Sequence, residues 1–183
     1  MMEADPDLKK PQGFGIRYTE EGDGKYLREW LLDPEVGRWF PMSEVSEVDD
    51  AVGRWIAFHR YSCSVTATVD GIPCGISTLY LQPYRKLAHQ CEFGIICSPD
   101  FRGLGVGSQL LSNLMRLAKE EFGIQLLHLQ VYAENPALRL YKRFGFREFG
   151  RQTCWIKEGG AFVGRIFMER FLDETISSCR KES

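Results

Sequence analysis

Glu92-Phe-Gly-Ile-Ile-Cys-Ser-Pro-Asp-Phe-Arg-Gly-Leu-Gly-Val-Gly107 passes from an apolar strand into a glycine-rich turn and then into a helix. Without a Cβ, Gly103, Gly105 and Gly107 let the backbone turn tightly and bring its N–H groups close to an anion. From Ser108 the periodicity is helical, with Leu110, Leu111, Leu114, Met115, Leu117, Ala118 and Phe122 on one face. Gln109, Ser112, Asn113, Arg116, Lys119 and Glu120 fall on the other. The unpaired N–H groups and the dipole at the helix start therefore lie beside the glycines, and Arg102 adds a fixed positive charge: the composition of a phosphate grip.

Two nucleotide-binding readings fail on spacing. No Gly-Lys-Ser or Gly-Lys-Thr follows the turn, so the P-loop is absent. The dinucleotide fingerprint needs Gly-x-Gly-x-x-Gly near a first βαβ unit, whereas here the spacing is Gly-x-Gly-x-Gly past mid-chain. A third reading, in which the turn merely connects strand to helix, stays open on these residues alone.

The turn has a partner downstream. Arg102-x-x-Gly105-x-Gly107 follows a glutamate-bearing strand, and about thirty residues later comes Asn135-Pro-Ala-Leu-Arg-Leu-Tyr141-Lys-Arg-Phe-Gly-Phe146. In this order and at this separation the two motifs resemble the GNAT superfamily of acyl-CoA-dependent N-acetyltransferases, over roughly residues 14–172. The resemblance implies acetyl-CoA as co-substrate. It places the coenzyme A pyrophosphate on Arg102, Gly103, Leu104, Gly105, Val106, Gly107 and Ser108, and the pantetheine arm along the backbone of Ile95, Ile96 and Cys97. It also implies Glu92 as general base, directly or through water, and Tyr141 as general acid for the departing thiolate. Asn135 is implied to cap its helix and to contact the pantetheine. Two departures from the family pattern matter: Asn135 to Tyr141 is six residues where seven is common, and Leu104 stands where a basic or polar residue is usual. Arg102 and backbone N–H groups are then expected to carry more of the anion recognition. Gln130 occupies a strand position where some protein N-terminal acetyltransferases have glutamate, and a neutral amide cannot act as a base.

Composition fits one enzyme domain. The chain has 183 residues, 44% of them hydrophobic, enough for one substantial core. A formal charge of −2 and a pI near 6.0 give no general basic footprint for nucleic acid. Cysteines 63, 74, 91, 97, 154 and 179 make no C-x-x-C pair and no compact set with His59, His89 or His128, so no metal site is expected. Cys97 has no accompanying histidine and acid motif, and direct attack in a ternary complex is favoured over a covalent enzyme intermediate. With no leader or long apolar span, the thiols point to a reducing, cytoplasmic setting without a membrane partner.

The remaining elements follow from punctuation. Residues 1–13 and 173–183 read as flexible termini around a single domain over 14–172. A strand ends near Tyr18, a helix spans about Lys25 to Leu32, and Asp33-Pro34 caps another. Ser46-x-x-Asp49 resembles a capping box, with Val48, Val52, Trp55, Ile56 and His59 at helical spacing through Tyr61. Residues 62–70 and 74–82 form a hairpin about Gly71-Ile72, and Ala88 to Cys97 is the next strand. Gly123 ends the helix of 105–122, and a strand fills 124–132. Asn135 and Pro136 open a helix that Gly145 closes, and strands at 146–156 and 162–171 finish the domain. This order predicts an α/β (α+β) fold: a mixed, mainly antiparallel sheet of six to seven strands, helices on both faces, and one parallel pair joined by the glycine-turn helix and splayed as in the GNAT fold.

The segment from Trp30 to Tyr61 is expected to shape the acceptor site. Its aromatic residues and Glu44, Glu47, Asp49 and Asp50 suit a cationic amine, although helix capping and core packing explain the same residues more simply. The acceptor is thus a primary amine on a small molecule or a protein N-terminus, and the resemblance admits a homodimer. A non-catalytic acyl-CoA-binding module is the alternative on the same fold.

Overall fold

The strand and helix periods are realised in the computed structural model, which describes residues 2–173. Seven strands and five helices occur among them: β1 (Phe14–Tyr18), α1 (Gly24–Leu32), α2 (Pro34–Gly37), α3 (Val45–Ala57), β2 (Ser64–Val69), β3 (Ile72–Tyr80), β4 (Gln90–Cys97), α4 (Val106–Glu120), β5 (Leu126–Tyr132), α5 (Leu138–Arg143), β6 (Arg147–Glu158) and β7 (Ala161–Phe171). The expected tail from 173 lies, but for Asp173, outside the described residues. The strands are mostly antiparallel, with β4–β5 the parallel pair, as the sequence predicts.

Contacts group the chain into two units, Met1–Tyr80 with Gly94–Ala118, and Leu81–Phe93 with Lys119 onward. In the first unit the strands run in the order β1-β2-β3-β4, ending on the second half of β4. The β2–β3 turn is Asp70-Gly71, both at positive φ (50° and 80°), one residue earlier than expected, and Ile72 already pairs with Val69. Leu27, Trp30, Leu31 and Val36 of α1–α2 pack with Val48, Trp55 and Ile56 of α3 and with Ile76 and Ile96. Trp30 and Trp55 are therefore core residues.

A buried polar chain runs through this unit. Arg17 clamps Asp23 with two hydrogen bonds of 2.8 Å, and Thr66 Oγ1 donates to the same carboxylate at 2.8 Å. The hydroxyls of Thr19, Ser64 and Thr78 continue it, and Trp55 Nε1 donates to Thr78 Oγ1 at 2.7 Å. Because each member has a partner, the chain fixes one arrangement of β1, β2, β3 and α3 instead of leaving orphaned groups. Burial opposes ionisation of Asp23, but Arg17, the Glu20 N–H and Thr66 outweigh it, so its pKa lies below the ordinary carboxylate value.

Two local expectations are corrected. The capping box of α3 is Glu44 with Glu47, because the helix begins at Val45 and leaves Ser46 and Asp49 inside it. The segment before Phe14, expected to be loose, is held against α4. Gln109 is wholly buried: its amide nitrogen donates to Asp5 O (2.8 Å) and Leu8 O (3.2 Å), and its Oε1 accepts from Asp5 N at 2.7 Å. Ser112 Oγ donates to Asp5 Oδ2 at 2.7 Å. The polar face assigned to α4 is thus the docking surface of residues 3–9, which we call the strap.

In the second unit the order is β4-β5-β7-β6, starting from the first half of β4. Gln90, Cys91 and Glu92 pair in parallel with Leu126, Leu127 and His128, and the ladder stops there. β5 pairs with β7 along its whole length, Leu126↔Phe171 to Tyr132↔Arg165. The β6–β7 hairpin turns at Gly159-Gly160, and Gly145 and Gly123 terminate their helices at positive φ (77° and 62°). α5 is shorter than expected. Leu138 and Arg139 N–H groups bond Asn135 O and Pro136 O three residues back, a tight first turn ahead of the α-helix proper.

Replacing Asp23 with Asn removes the charge that Arg17 and Thr66 bond, and is expected to cost about 2–4 kcal/mol of unfolding free energy in urea melts at pH 7. The carboxylate's contribution is complete above the ordinary carboxylate range and is lost as pH falls through its lowered folded value, so this acid-induced loss is smaller in Asp23→Asn.

Candidate active site

In the first unit, β4 ends at Cys97 and a short turn over Pro99–Phe101 hands the chain to the glycines, with Gly103 and Gly105 at φ of 73° and 95°. These values are the reason glycine is needed at both positions. Among the described residues no backbone acceptor receives the N–H groups of Gly103, Leu104, Gly105, Val106 or Gly107, whereas those of Ser108 and Gln109 donate to Gly105 O at 3.0 Å. Arg102, Gly103 and Leu104 are exposed, and Val106 is buried and anchors the helix start. A row of free donors beside one guanidinium is what an anionic diphosphate requires. Lys9 Nζ also donates to Gly103 O at 3.2 Å, and a Cβ on Gly105 would run into the Lys9 carbonyl.

Ile96 is buried in the core of this unit, while Ile95 and Cys97 are half-buried. Burial above all, with Cys74 adding to it and Arg102 opposing, pushes the Cys97 thiol up to about 12. A thiol so far from ionisation is a poor nucleophile. Glu44 and Glu47 cap α3, Asp49 pairs with Arg28 at 2.6 Å, and Asp50 pairs with Arg54. The acidic residues expected to attract an amine are therefore engaged in holding helices.

In the second unit, Glu92 stands on the last parallel rung, opposite His128. Gln130, two residues further along β5, donates from Nε2 to Glu92 Oε1 at 2.8 Å, and its Oε1 accepts from Arg165 Nη1. The arginine thereby fixes which end of the amide faces Glu92. Arg165 Nε donates to Gln152 Oε1 at 2.9 Å, and its guanidinium lies 4.7 Å from the ring centroids of both Trp155 and Phe167. Burial lowers the pKa of His128 against the opposing pull of Glu92 and Glu169, so it is neutral at pH 7.

Tyr141 is buried in α5, edge-on to Phe93 (6.2 Å) and Phe146 (6.1 Å). The two phenylalanines hold the ring from two sides. Asn135 Oδ1 accepts from Ala137 N at 2.8 Å, a local turn contact just ahead of α5, whose N-cap is Ala137 and not the expected Asn135. Glu92, Tyr141 and Asn135 belong to one unit and the glycine turn to the other. Sequence reasoning missed Arg165 and Lys9. Arg165 alternates with the buried Ile166 and Met168, which marks it as facing away from the core, but only the β5–β7 register brings it to Gln130. No group of three or more His, Cys, Asp or Glu suited to a metal occurs among the described residues, and none of their helices is long and apolar enough to cross a membrane.

The glycine turn with its free donors lies in one unit and the strand glutamate held by a polar relay in the other, and comparison with known proteins identifies the class of acyl-CoA-dependent transferases. Residues 24–146 match the model of the acetyltransferase (GNAT) family. The L-amino acid N-acetyltransferase AaaT of Escherichia coli is 25% identical over 157 residues, covering 85% of this chain and 96% of that protein. An uncharacterised N-acetyltransferase of Methanocaldococcus jannaschii is 38% identical over 152 residues, 82% of this chain and 57% of its own length. Among solved structures, a putative acetyltransferase of Salmonella typhimurium with its cofactor acetyl-CoA superposes with a TM-score of 0.73 at 19% identity, over 89% of this chain and 96% of that one. A putative phosphinothricin N-acetyltransferase reaches 0.78 at 21% identity, over 88% and 99%. The chain belongs to the GNAT family. It is an N-acetyltransferase that uses acetyl-CoA.

Gly105→Ala is expected to displace the strap, because the new methyl group meets the Lys9 carbonyl and the φ is strained, at a cost of about 1–2 kcal/mol. Tryptic cleavage after Lys9 is the measurement, since the Lys10–Pro11 bond resists trypsin, and it should be faster than in the wild type.

Proposed function

We propose that the acceptor is the amine of a small carboxylate-bearing molecule, with an α-amino acid as the simplest case, and that Glu92 and Tyr141 carry the proton transfers. The observation that supports this most is the Glu92–Gln130–Arg165 relay. It sets a carboxylate and a guanidinium on either side of one amide, the charge pattern complementary to a zwitterion. The E. coli relative named as an L-amino acid N-acetyltransferase supports the same acceptor class.

An amine is mostly protonated at neutral pH and must lose a proton before it attacks a thioester. Glu92 receives that proton, directly or through one water. Gln130 holds the carboxylate by its Oε1, leaving Oε2 for the acceptor. Arg165 has donors beyond those given to Gln130 and Gln152, and these take the acceptor carboxylate. The amine nitrogen bonds to the acetyl carbon, the carbon–sulfur bond breaks, the thiolate takes a proton from the Tyr141 hydroxyl, and the second proton lost by the nitrogen restores the phenol through solvent. An ordinary phenol, pKa ~10, is protonated at pH 7 and can supply it. The high Cys97 value supports direct transfer without an acetylated enzyme.

The diphosphate of acetyl-CoA lies on the N–H groups of Gly103, Leu104, Gly105, Val106 and Gly107, beside Ser108 and Arg102, and the pantetheine runs along the backbone of Ile95–Cys97. Support comes from the donors of Gly103–Gly107, which have no backbone acceptor among the described residues, and from the β4–β5 ladder, which ends before Ile95. The free thiols of Cys63, Cys74, Cys91, Cys97 and Cys154 support work in the reducing cytoplasm.

Thiol release with acetyl-CoA and a panel of amines tests the reading. Free amino acids are expected to outperform their amides. Glu92→Gln and Tyr141→Phe should each lower kcat about 10²- to 10⁴-fold with little change in acetyl-CoA binding. Arg165→Gln should raise KM about tenfold or more for the free acids and distinctly less for the amides, as loss of a charge-assisted contact demands. Equal turnover of acids and amides by the wild type would rule out the carboxylate assignment.

A further inference from the structure

The glycine turn lacks a cation where the family usually has a basic or polar residue, since position 104 is an exposed leucine. The structure brings a cation to the same turn from a part of the chain almost a hundred residues away. Lys9 Nζ donates to Gly103 O at 3.2 Å, one residue from Arg102 and one from Leu104. The lysine is exposed, and an ammonium has three donors, so the contact with Gly103 leaves two for a ligand.

The placement is built. The strap carrying Lys9 is held at Asp5 and Leu8 by the fully buried Gln109, which stands in the first turn of α4, and at Asp5 again by Ser112. Arg116 adds a contact to Glu3 O at 3.4 Å. Gly105 completes the fit from the other side, since only a residue without a Cβ leaves room for the Lys9 carbonyl. A buried glutamine amide that found no partner would be costly, so the Gln109 contacts hold the strap in register on the helix that begins the anion grip. A lysine merely passing by would need none of this.

We infer that Lys9, delivered by the strap, is a binding residue for the diphosphate of acetyl-CoA and takes the place of the cation missing at position 104. The inference rests on the glycine turn being the coenzyme A site. A flexible ammonium next to a row of fixed N–H donors divides the recognition sensibly: the donors set the geometry and the lysine supplies charge. The same arrangement makes binding sensitive to ionic strength, because an exposed cation is screened by salt.

The test compares two donors, acetyl-CoA and acetyl-pantetheine, which has the same thioester arm without the diphosphate. In Lys9→Ala the Kd for acetyl-CoA should rise about three- to tenfold, and the preference for acetyl-CoA over acetyl-pantetheine should fall by the same factor. The dependence of acetyl-CoA binding on salt should flatten with it. Lys9→Arg should retain most of the affinity. Adding Leu104→Lys to Lys9→Ala returns a cation to the turn from inside and should restore binding. Three results overturn the assignment: Lys9→Ala binds acetyl-CoA as the wild type does, the variant weakens both donors equally, or Leu104→Lys fails to rescue it. A wild type that binds no coenzyme A thioester overturns the reading of the turn and the role of Lys9 with it.

Discussion

The parallel ladder between β4 and β5 has only three rungs, and the rest of the site depends on where it stops. Gln90, Cys91 and Glu92 have partners on β5, and Glu92 opposite His128 is the last. Both strands continue, β4 to Cys97 and β5 to Tyr132, without pairing with each other. Backbone groups are rarely left without hydrogen bonds, so a strand released from its neighbour in mid-course is available for another extended partner. In the proposed function that partner is the pantetheine arm, with its two amides. The stop also puts Glu92 at the end of the paired segment, with Gln130 two residues on along β5 to hold its carboxylate.

Charge at the site is managed by neutral intermediaries. Glu92 and Arg165 are joined through an amide, which keeps both charges available to a substrate where a direct ion pair would satisfy each with the other. Trp155 and Phe167 hold the guanidinium by their faces, an attraction that uses none of its N–H donors. Elsewhere the molecule spends its charges structurally: Arg17 with Asp23, Arg28 with Asp49, Arg151 with Glu148. The relay at Glu92 differs from these closed pairs in that its carboxylate and guanidinium are bonded to an amide and not to each other.

Much of this was legible in the sequence because the deciding signals are local. Gly103, Gly105, Gly123 and Gly145 take positive φ, and each marks a turn or helix end that was read from its neighbours. Asn135 bonds a backbone N–H two residues on, the local contact its residue type favours. What was not legible depends on distance. Gln109 looks like a solvent-facing helix residue until Asp5 and Leu8 are brought to it, and Arg165 looks like an ordinary polar strand residue until β7 pairs with β5. The capping box of α3 was misplaced by two residues because Glu44 can cap as Ser46 can, and the choice between them follows from where the helix begins.

The central claim is that the glycine turn and the unpaired part of β4 together receive acetyl-CoA, and amide hydrogen exchange tests it most directly. Saturating acetyl-CoA should slow exchange at the N–H groups of Gly103–Gly107, which have no backbone acceptor among the described residues, and within Ile95–Cys97, while β1 and β2 remain unchanged. Binding of acetyl-CoA with no slowing at either segment would contradict the account.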